Sequence, residues 1–376
     1  MSLRVLVVAE SFLPQVNGVT NSVRRVLEHL AAEGHRAELV APTGPDSYAG
    51  FPVTRARGAS LPFYHDFRLG LETRRRLRAV MERFQPDVVH LASPATLGYQ
   101  AARTAQGLGI PTVAIYQTDL VGFADRYQIP GGAPAMVRLT RRVHDGVTTT
   151  LAPSRASVTQ LRALGVRNVA LWPRGVDQEL FDPSKANDRL RETLAPEGEL
   201  LVGYVGRLAP EKELHLLRHV HDLTGVRLVI VGGGPEEPRL RKHLPRARFL
   251  GVLHGEQLAA AYASLDVFAH TGRHETFCQS AQEALASGVP VVAPASGGPL
   301  DLVEPERNGL LYPAGDGHAL AAAVDRLRRE PLRRTALAQH ARPSVAERSW
   351  QAVNGALVAH YEHAAGLSAR PTSRSA

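Results

Sequence analysis

The sequence predicts an α/β fold built from two doubly wound, Rossmann-like domains that face a shared cleft. Three observations lead to this prediction. Short apolar runs alternate regularly with helical patterns along the chain. Runs such as residues 200–205 contain almost no polar residue, as expected for strands of a parallel sheet that is covered on both faces. With 376 residues, the chain is also longer than one ordinary domain.

The first domain is predicted to begin with a strand–helix–strand unit. An apolar run over residues 3–9 is followed by a loop that ends at Asn17 and Gly18, and a helix then runs to Glu33, where Gly34 terminates it. Asn17 and Gly18 therefore lie at a helix N-terminus, where the backbone can approach a ligand closely. The G-x-G-x-x-G fingerprint of dinucleotide-binding proteins is missing. Further strands of this domain are predicted at residues 35–41, 87–91, 111–116, 146–151 and 169–172.

A helix is predicted over residues 68–84, and its two sides differ in character. The apolar stripe consists of Leu77, Val80, Met81 and Phe84. The opposite, basic side consists of Arg75, Arg76, Arg78 and Arg83. No acidic residue between Thr73 and Met81 offsets these charges. Near an anionic membrane each arginine contributes about 1 kcal/mol. We therefore expect this side, with Tyr64 in the preceding loop, to contact a membrane surface or an acceptor, although a purely solvated surface is the alternative.

The second domain is predicted to follow a hinge near residues 174–177. Its first strand, residues 200–205, is followed by Arg207, and Lys212 lies at the start of the next helix. A bidentate guanidinium and a compact ammonium near a helix N-terminus suit a diphosphate group. An arginine at a strand end and a lysine at the surface are the alternative, but Lys212 is one of only three lysines in the chain. Further strands are predicted at residues 227–231, 247–251, 266–270, 289–293 and 309–313.

Residues 271–293 read as a strand end, a glycine turn, a helix and a second buried strand. The helix is predicted from about residue 276 to residue 287, with Glu275 just before it and Glu283 two turns further along the same side. A helix N-terminus at the carboxyl end of a parallel strand is an anion-binding position. The alternative is that Glu275 only caps the helix and that Glu283 is a surface charge.

Composition limits the possible partners. A net charge of +8 and a pI near 10 favour an anionic partner or surface. A nucleic acid is not expected, because the sequence has neither a recognition motif nor a stacking platform. Cys278 is the single cysteine, which excludes internal disulfides and argues against a thiolate metal site. His215 and His219 have i, i+4 spacing, but no carboxylate motif accompanies them, so no metal is expected.

The sequence also allows a prediction of the cellular location of the protein. No apolar run approaches the roughly 20 residues of a membrane span, and the N-terminus lacks the pattern of a signal peptide. The sequence therefore predicts a cytoplasmic protein.

Five motifs, taken in order, resemble those of the family 4 retaining glycosyltransferases, which have the two-domain GT-B fold. They are Gly206-Arg207 with Glu211-Lys212, Gly232-Gly-Gly-Pro235, Glu275-x7-Glu283, Ala286-x-Gly288-x-Pro-Val-Val292 and Asn308-Gly-Leu-Leu311. The resemblance spans nearly the whole chain and implies that the last helix crosses back to the N-terminal domain. The expected domains are residues 1–174 with 345–366 on the acceptor side and residues 175–344 on the nucleotide-sugar side, with a disordered tail at residues 367–376.

The resemblance implies three catalytic residues. Arg207 and Lys212 match the pair that holds the donor diphosphate and stabilises the leaving nucleotide. Glu275 matches the carboxylate that contacts hydroxyls of the donor sugar near the reaction centre.

The resemblance also implies a set of donor-binding residues. Glu283 matches the carboxylate that binds the ribose hydroxyls, and Gly18, beside Asn17, matches the loop glycine that lets backbone approach the phosphate. The backbone of Thr276, Phe277 and Cys278 lies where the family supports the sugar and the phosphate with N–H donors.

Two positions depart from the family pattern. The family often has a histidine that reaches the donor sugar where this chain has Gln117. Glutamine can bind a hydroxyl of the donor but cannot carry charge, so proton transfer at that position is excluded. Asp119 nearby is a candidate to compensate and is expected among the residues that contact the acceptor or the membrane. The usual glycine is replaced by Cys278, whose small side chain is expected to pack and not to act as a nucleophile.

The segment at residues 116–119 and the basic helix resemble actinobacterial GDP-mannose-dependent α-mannosyltransferases of glycolipid synthesis. This resemblance implies a GDP-mannose donor, a glycolipid, polyprenyl or phosphatidyl-type acceptor with a sugar or inositol hydroxyl, and peripheral attachment to the inner face of the plasma membrane. It implies no metal and no cofactor. Two alternatives stay open at this point: a UDP-sugar (glucose or N-acetylglucosamine) transferase with a soluble acceptor, and a sugar-nucleotide epimerase of the same architecture.

Overall fold

The computed structural model of the chain describes residues 2–15, 17–61, 64–70, 72–92, 94–117, 119 and 132–368, without the side chains of residues 59–61, 64–69 and 133. The chain divides into two compact units, one formed by Met1–Arg174 with Trp350–Ala376 and the other by Gly175–Ser349. Residues 345–349, expected in the first domain, therefore lie in the second unit. The expected tail falls largely on residues 369–376, outside the described part.

The first unit contains a mostly parallel sheet with helices. Its strands are β1 (Arg4–Ala9), β2 (Arg36–Ala41), β3 (Ser47–Tyr48), β4 (Phe51–Arg55), β5 (Gly58–Leu61), β6 (Tyr64–Gly70), β7 (Val88–Ala92), β8 (Thr112–Ile115), β9 (Thr149–Ala152) and β10 (Val169–Leu171). Its helices are α1 (Gly18–Ala32), α2 (Arg74–Phe84), α3 (Thr96–Gly107), α4 (Gly132–Asp145) and α5 (Arg155–Ala163), and the last helix of the chain also belongs to this unit.

The sheet order of the first unit is β10-β9-β8-β7-β1-β2-β4-β3. Among the described strands of this sheet, the short β3–β4 pair is antiparallel and the other pairs are parallel. Strands β5 and β6 form a separate antiparallel hairpin. This hairpin corrects the prediction for residues 68–84, because the chain is extended up to Gly70 and α2 begins only at Arg74.

The second unit contains a fully parallel sheet. Its strands are β11 (Leu200–Val205), β12 (Val226–Val231), β13 (Arg248–Gly251), β14 (Val267–Ala269), β15 (Val291–Pro294) and β16 (Gly309–Tyr312), in the order β13-β12-β11-β14-β15-β16. Its α-helices are α6 (Asp188–Leu194), α7 (Leu217–His221), α8 (Glu237–His243), α9 (Gly255–Ala263), α10 (Gln279–Ala286), α11 (Gly317–Arg329) and α12 (Pro331–Ala341). The six residues of β11 are all buried, which explains the apolar run at residues 200–205.

The last helix, α13 (Trp350–Ala364), packs within the first unit. The indole Nε1 of Trp172 donates to the carbonyl of Val353 over 2.8 Å, and Asn354 Nδ2 donates to the carbonyl of Arg25 over 2.9 Å. Further along α13, the Tyr361 hydroxyl lies 2.6 Å from Nδ1 of His90, a buried residue of β7. These contacts bury one side of α13 against α1 and the sheet.

Candidate active site

Each sheet reverses its strand order beside its first strand. In the second unit β11 pairs with β12 on one side and with β14 on the other. Loops that leave such a pair of strands at their carboxyl ends diverge and form the usual ligand site of an open parallel sheet. The segment after β11 carries Arg207 and Lys212, and the segment after β14 carries Glu275. The strand order thus explains why motifs distant in sequence belong to one site.

Glycines allow the loop that follows β11 and the loop that follows β12 to pack backbone against backbone. The backbone N–H of Leu208 donates to the carbonyl of Gly233 over 2.9 Å. A Cβ atom added to Gly232, which has φ +133°, would lie 2.0 Å from the carbonyl oxygen of Gly206. A Cβ atom added to Gly234 (φ +156°) would lie 2.4 Å from the carbonyl oxygen of Leu208. Only glycine fits these positions, so this motif fixes the backbone that presents Arg207.

Lys212 and Glu275 form an ion pair at the centre of the site. Lys212 Nζ lies 2.5 Å from Glu275 Oε1, and the two side chains are 24% and 17% exposed. His270, at the end of β14 and buried, places Nε2 3.3 Å from the same carboxylate oxygen. The arrangement therefore combines one carboxylate with two nitrogen groups in a largely enclosed position.

The neighbouring groups keep these side chains charged. Burial would raise the pKa of Glu275, but the charges of Lys212 and His270 lower it well below its usual range. Burial would lower the pKa of Lys212, and the Glu275 carboxylate raises it instead. For His270, burial opposes protonation, but the Cys278 sulfur and the Glu275 carboxylate outweigh it and raise its pKa. A site that holds the Lys212 ammonium beside the Glu275 carboxylate is suited to a charged phosphate group.

Arg207 lies at the surface of the same segment. Its side chain is 50% exposed, and its Nη1 lies 3.7 Å from Glu211 Oε1. The hydroxyl of Tyr204 donates to the Arg207 carbonyl over 3.1 Å and fixes the backbone at this residue. The backbone of Arg207 is thus fixed, and its side chain is half exposed.

The helix that follows Glu275 begins later than the sequence predicted. Thr276 and Phe277 lie in a loop, and α10 starts at Gln279 after Cys278, which adopts the left-handed conformation at φ +82°. The predicted alignment of Glu275 with Glu283 by two helical turns is therefore wrong. A left-handed residue is favourable for glycine and costs other residues roughly 1–2 kcal/mol. This conformation explains physically why the family pattern has a glycine where this chain has Cys278.

The loop from Glu275 to Cys278 is held from behind by a second glycine turn. The N–H of Gly298 donates to the carbonyl of Glu275 over 2.8 Å. A Cβ atom added to Gly298 would lie 2.1 Å from the carbonyl oxygen of Phe277. Both Phe277 and Cys278 are buried in the hydrophobic core of the second unit, which agrees with packing as the role of the cysteine side chain.

Glu283 lies on α10 and is partly buried. Its Oε2 accepts from the hydroxyl of Tyr262 over 3.0 Å. Burial, together with the negative charge of Glu283, raises the pKa of Tyr262 well above its ordinary value. Tyr262 thus remains a donor and orients the carboxylate.

The predicted residues of the first unit lie at the carboxyl end of its sheet. Asn17 caps α1, because its Oδ1 accepts from the N–H of Thr20 over 2.9 Å, and Gly18 is the exposed first residue of that helix. Gln117 follows β8 and is partly buried. Asp119 accepts from the hydroxyl of Tyr116 over 3.2 Å and from Gln160 Nε2 over 3.1 Å. Their contacts with a donor or an acceptor stay predictions.

Acidic residues offset most of the arginines of α2, contrary to the sequence interpretation. Arg76 pairs with Glu72 at 3.1 Å, Arg78 pairs with Glu82 at 2.7 Å, and Arg83 pairs with Glu38. These carboxylates lie outside the stretch of residues 73–81 and were therefore missed. Arg75 is exposed, and the side chain of Tyr64 is outside the described part of the structure.

His219 and His221 lie on α7 and contact neighbouring side chains. His219 packs against His318 with ring centroids 4.3 Å apart, and His221 Nδ1 lies 2.9 Å from Asp222. Among the described residues, no three His, Cys, Asp or Glu side chains are grouped as they would be around a metal ion.

Within that same part of the chain, every helix is too short or too polar to cross a membrane.

Sequence reasoning missed three residues near the site. In the sequence His270 is only the last residue of the strand predicted at residues 266–270, and neither Glu213 nor Arg273 belongs to a recognised motif. The last two form an ion pair with a 2.6 Å separation between Arg273 Nη2 and Glu213 Oε1. Their signal in the sequence is position alone: Glu213 follows Lys212 directly, and Arg273 precedes Glu275 by two residues.

Comparisons with known proteins identify the family of the chain. Residues 16–180 match the family model described as Glycosyltransferase Family 4, and residues 186–343 match the model described as Glycosyl transferases group 1. The chain is 50% identical over 372 residues to the GDP-mannose-dependent alpha-mannosyltransferase of Mycobacterium tuberculosis, with 97% of each chain covered.

A more distant relative and a solved structure extend the comparison. The chain is 26% identical over 349 residues to the GDP-mannose-dependent alpha-(1-6)-phosphatidylinositol dimannoside mannosyltransferase of the same organism, covering 88% of this chain and 90% of that protein. The crystal structure of Anabaena HepE in complex with UDP has a TM-score of 0.80 at 19% identity, covering 96% of this chain and 100% of that one, which shows the fold. Since both family models and a relative of nearly equal length match, the predicted family is confirmed: the chain belongs to glycosyltransferase family 4 and is a glycosyltransferase with the GT-B fold.

Proposed function

We propose that this enzyme transfers mannose from GDP-mannose to a hydroxyl of a lipid-linked acceptor, with retention of the anomeric configuration. The Lys212–Glu275 ion pair is the observation that carries the chemistry, because it sits where the strand order of the second sheet reverses. The mannose and guanosine parts of the proposal are supported by the 50% identity to a GDP-mannose-dependent relative.

The donor is proposed to bind the second unit through its charged and hydroxyl groups. Lys212 and Arg207 interact with the diphosphate; the side chain of Arg207 is half exposed, and the Tyr204 hydroxyl fixes its backbone. Glu275 accepts from hydroxyls of the mannose, and Glu283, oriented by Tyr262, accepts from hydroxyls of the ribose. The backbone N–H groups of residues 276–278 support the sugar and the phosphate.

The proposed chemistry depends on stabilising the leaving group. As the bond between the anomeric carbon and the phosphate oxygen breaks, the sugar gains positive charge and the departing GDP gains negative charge. Lys212 and Arg207 stabilise the developing negative charge, and preorganised groups of this kind contribute about 3–4 kcal/mol each to the transition state. The acceptor hydroxyl attacks the same face that GDP leaves, and its proton passes to the departing phosphate.

The acceptor is proposed to be a phosphatidyl-type or polyprenyl glycolipid with a sugar or inositol hydroxyl. One support is the relative whose name specifies a phosphatidylinositol dimannoside. The other is the exposed basic side of α2, which we propose to dock on an anionic membrane at the inner face of the plasma membrane. The ion pairs of Arg76 and Arg78 reduce the charge available for docking, so the attraction is weaker than the sequence alone suggested.

Donor binding tests this proposal without knowledge of the acceptor. GDP should raise the melting temperature of the protein more than UDP or ADP at equal concentration, because binding stabilises the native state by mass action. The Lys212→Met variant should lose most of the GDP-induced shift, whereas Lys242→Met, which removes an exposed lysine of α8, should keep it. A larger shift with UDP than with GDP would contradict the proposed donor.

A further inference from the structure

Glu213 and Arg273 connect the two segments that carry Lys212 and Glu275. Arg273 Nη2 lies 2.6 Å from Glu213 Oε1, and Arg273 Nε donates to Oε1 and Oε2 over 2.8 and 2.9 Å. The backbone N–H of Arg273 also donates to Glu213 Oε2 over 3.2 Å. One carboxylate therefore binds both the side chain and the backbone of Arg273.

A second connection runs parallel to the first. The hydroxyl of Thr271, which is completely buried, donates to the carbonyl of Lys212 over 2.5 Å. Arg273 is held from the other side as well, because its carbonyl accepts from Ser296 Oγ over 2.9 Å. Its guanidinium packs on Gly315, where an added Cβ atom would lie 2.3 Å from Nη2. The position of Arg273 is thus determined by several independent contacts.

The sheet itself does not connect these segments. Strands β11 and β14 pair only through Val202 with Val267 and Gly203 with Phe268, so their ladder ends before either loop begins. Beyond that point the loops leave a switch point of the sheet and would be expected to separate. The contacts of Glu213 and Thr271 continue the connection after the ladder has ended.

The backbone of Glu213 indicates that its position is imposed by its surroundings. Glu213 has φ +51° and ψ +38°, the left-handed region that residues other than glycine rarely adopt. Such a conformation persists where surrounding contacts over-determine it, and it occurs often at functional sites. Here it ends the turn of Pro210–Lys212, directly after Lys212.

We propose that Glu213 and Arg273 are a positioning pair that holds the Lys212 ammonium against the Glu275 carboxylate. The proposal rests on the proposed function insofar as it gives the pair a role in transfer. An ordinary surface ion pair contributes little and fixes no geometry. This pair differs because its carboxylate is mostly buried, its contact is bidentate, and its two members flank Lys212 and Glu275 in sequence. The side chain of Lys212 is flexible. Because the pair holds the loop that carries Lys212 against the loop that carries Glu275, it limits the movements that would separate the ammonium from the carboxylate.

The scarcity of lysine allows a direct test that needs no activity. Protein labelled with ¹³C at lysine Cε should give three lysine signals, from Lys185, Lys212 and Lys242, and the Lys212 signal is the one missing in Lys212→Met. We expect Lys212 Cε to relax as a rigid group in the wild type. In Arg273→Gln it should become as mobile as Lys242, while Lys185, which pairs with Glu256 at 2.9 Å, stays unchanged.

The sign of this effect separates positioning from simple electrostatics. Removing the positive charge of Arg273 would by itself leave Glu275 more attractive to Lys212 and tighten the ion pair. A loosened Lys212 therefore reports lost positioning. Arg307→Gln is the matched control, since Arg307 also pairs at 2.6 Å, with Glu304, but in the turn before β16. A rigid Lys212 in Arg273→Gln, equal to wild type and control, would overturn the proposal.

Kinetics provide the second readout. In Arg273→Gln we expect kcat to fall roughly 10- to 100-fold, because displacement of a catalytic group by about 1 Å can cost as much, while KM for GDP-mannose changes less than about threefold. Exchanging the charges in Glu213→Arg with Arg273→Glu should recover a substantial part of kcat. Equal losses in the single and exchanged variants would overturn the proposal.

Two arrangements keep the test decisive. If Arg273→Gln does not fold, Glu213→Gln, which keeps size and shape, is measured in its place with the same expectations. If the wild type does not use GDP-mannose, the proposed function fails, but the relaxation of Lys212 still decides whether the pair positions it. Retained rigidity and retained kcat in either variant of an active wild type would refute the inference alone.

Discussion

Replacing Glu10 with glutamine should change how the stability of the first unit depends on pH. Glu10 follows β1 and is 4% exposed. Its Oε1 accepts from the backbone N–H groups of Ala95 and Gly98, over 2.7 and 2.9 Å, at the start of α3. Glutamine has the same shape and can accept the same two bonds, so the substitution removes the titratable charge and, of the hydrogen bonds to the side chain, the long 3.4 Å bond from Thr96 Oγ1 to Oε2.

The magnitude follows from the pKa of Glu10. Burial raises it from 4.5 to about 6, although the hydrogen bonds from Gly98 and Ala95 act in the opposite direction. A difference of about 1.5 pH units corresponds to about 2 kcal/mol, at about 1.36 kcal/mol for each unit. Because the folded state binds the proton more tightly, this stabilisation is complete below pH 4.5 and is lost as the pH rises through about 6.

Tryptophan fluorescence can measure this effect in the first unit. The two tryptophans of the chain, Trp172 and Trp350, both belong to that unit, so their emission during urea unfolding reports on it. Glu10→Gln should match the wild type below pH 4.5 and exceed its free energy of unfolding by about 2 kcal/mol above pH 6. Other titrating groups cancel in the difference, and Glu33→Gln controls for loss of an exposed carboxylate. A difference that does not vary with pH would refute the reasoning.

Two further predictions concern the site and the membrane. Lys212→Met should lower kcat roughly 10²- to 10³-fold, as loss of one preorganised charge does, whereas Lys242→Met should leave kcat unchanged. Steady-state release of GDP measures both variants. Near wild-type turnover in Lys212→Met would contradict the assignment of Lys212 to the site. Neutralising Arg75, Arg76 and Arg78 to glutamine should weaken co-sedimentation with anionic vesicles more than it weakens GDP binding. Because Arg76 and Arg78 already form ion pairs, Arg75→Gln alone should account for most of the loss, which is about 1 kcal/mol. Unchanged co-sedimentation of the triple variant would rule out docking through α2.

The fold could be predicted largely because buried parallel strands are apolar at nearly every position. The run at residues 200–205 coincides with β11, and the family and fold predictions are confirmed. The helix expected from residue 68 failed for a clear reason. A strand of a hairpin such as β6 and the first turn of a helix can have similar composition, and only pairing with β5 distinguishes them.

The site could be predicted only in part. Lys212 and Glu275 were identified from motifs, and the structure brings them together. The composition of residues 276–287 does not reveal the late start of α10, and its one signal is the glycine that the family has at the position of Cys278, which indicates a left-handed residue there. His270 and the Glu213–Arg273 pair depend on the adjacency of β11 and β14, which is a property of strand order and not of local sequence.

The charges of α2 show a related limit. Glu72 and Glu82 stand four residues from Arg76 and Arg78, so these two ion pairs could have been predicted from helical spacing. The pair of Arg83 with Glu38 joins the helix to β2 and could not. The net charge of a short stretch therefore overstates the charge that remains available to a membrane.

Turnover with alternative donors tests the central claim most directly. Purified enzyme is incubated with anionic vesicles that contain a phosphatidylinositol-type or other glycolipid acceptor, and with GDP-mannose, UDP-glucose or UDP-N-acetylglucosamine in parallel. The account predicts release of GDP with formation of an α-mannosylated lipid, and no comparable product from either UDP-sugar. Transfer from a UDP-sugar without transfer from GDP-mannose would contradict it.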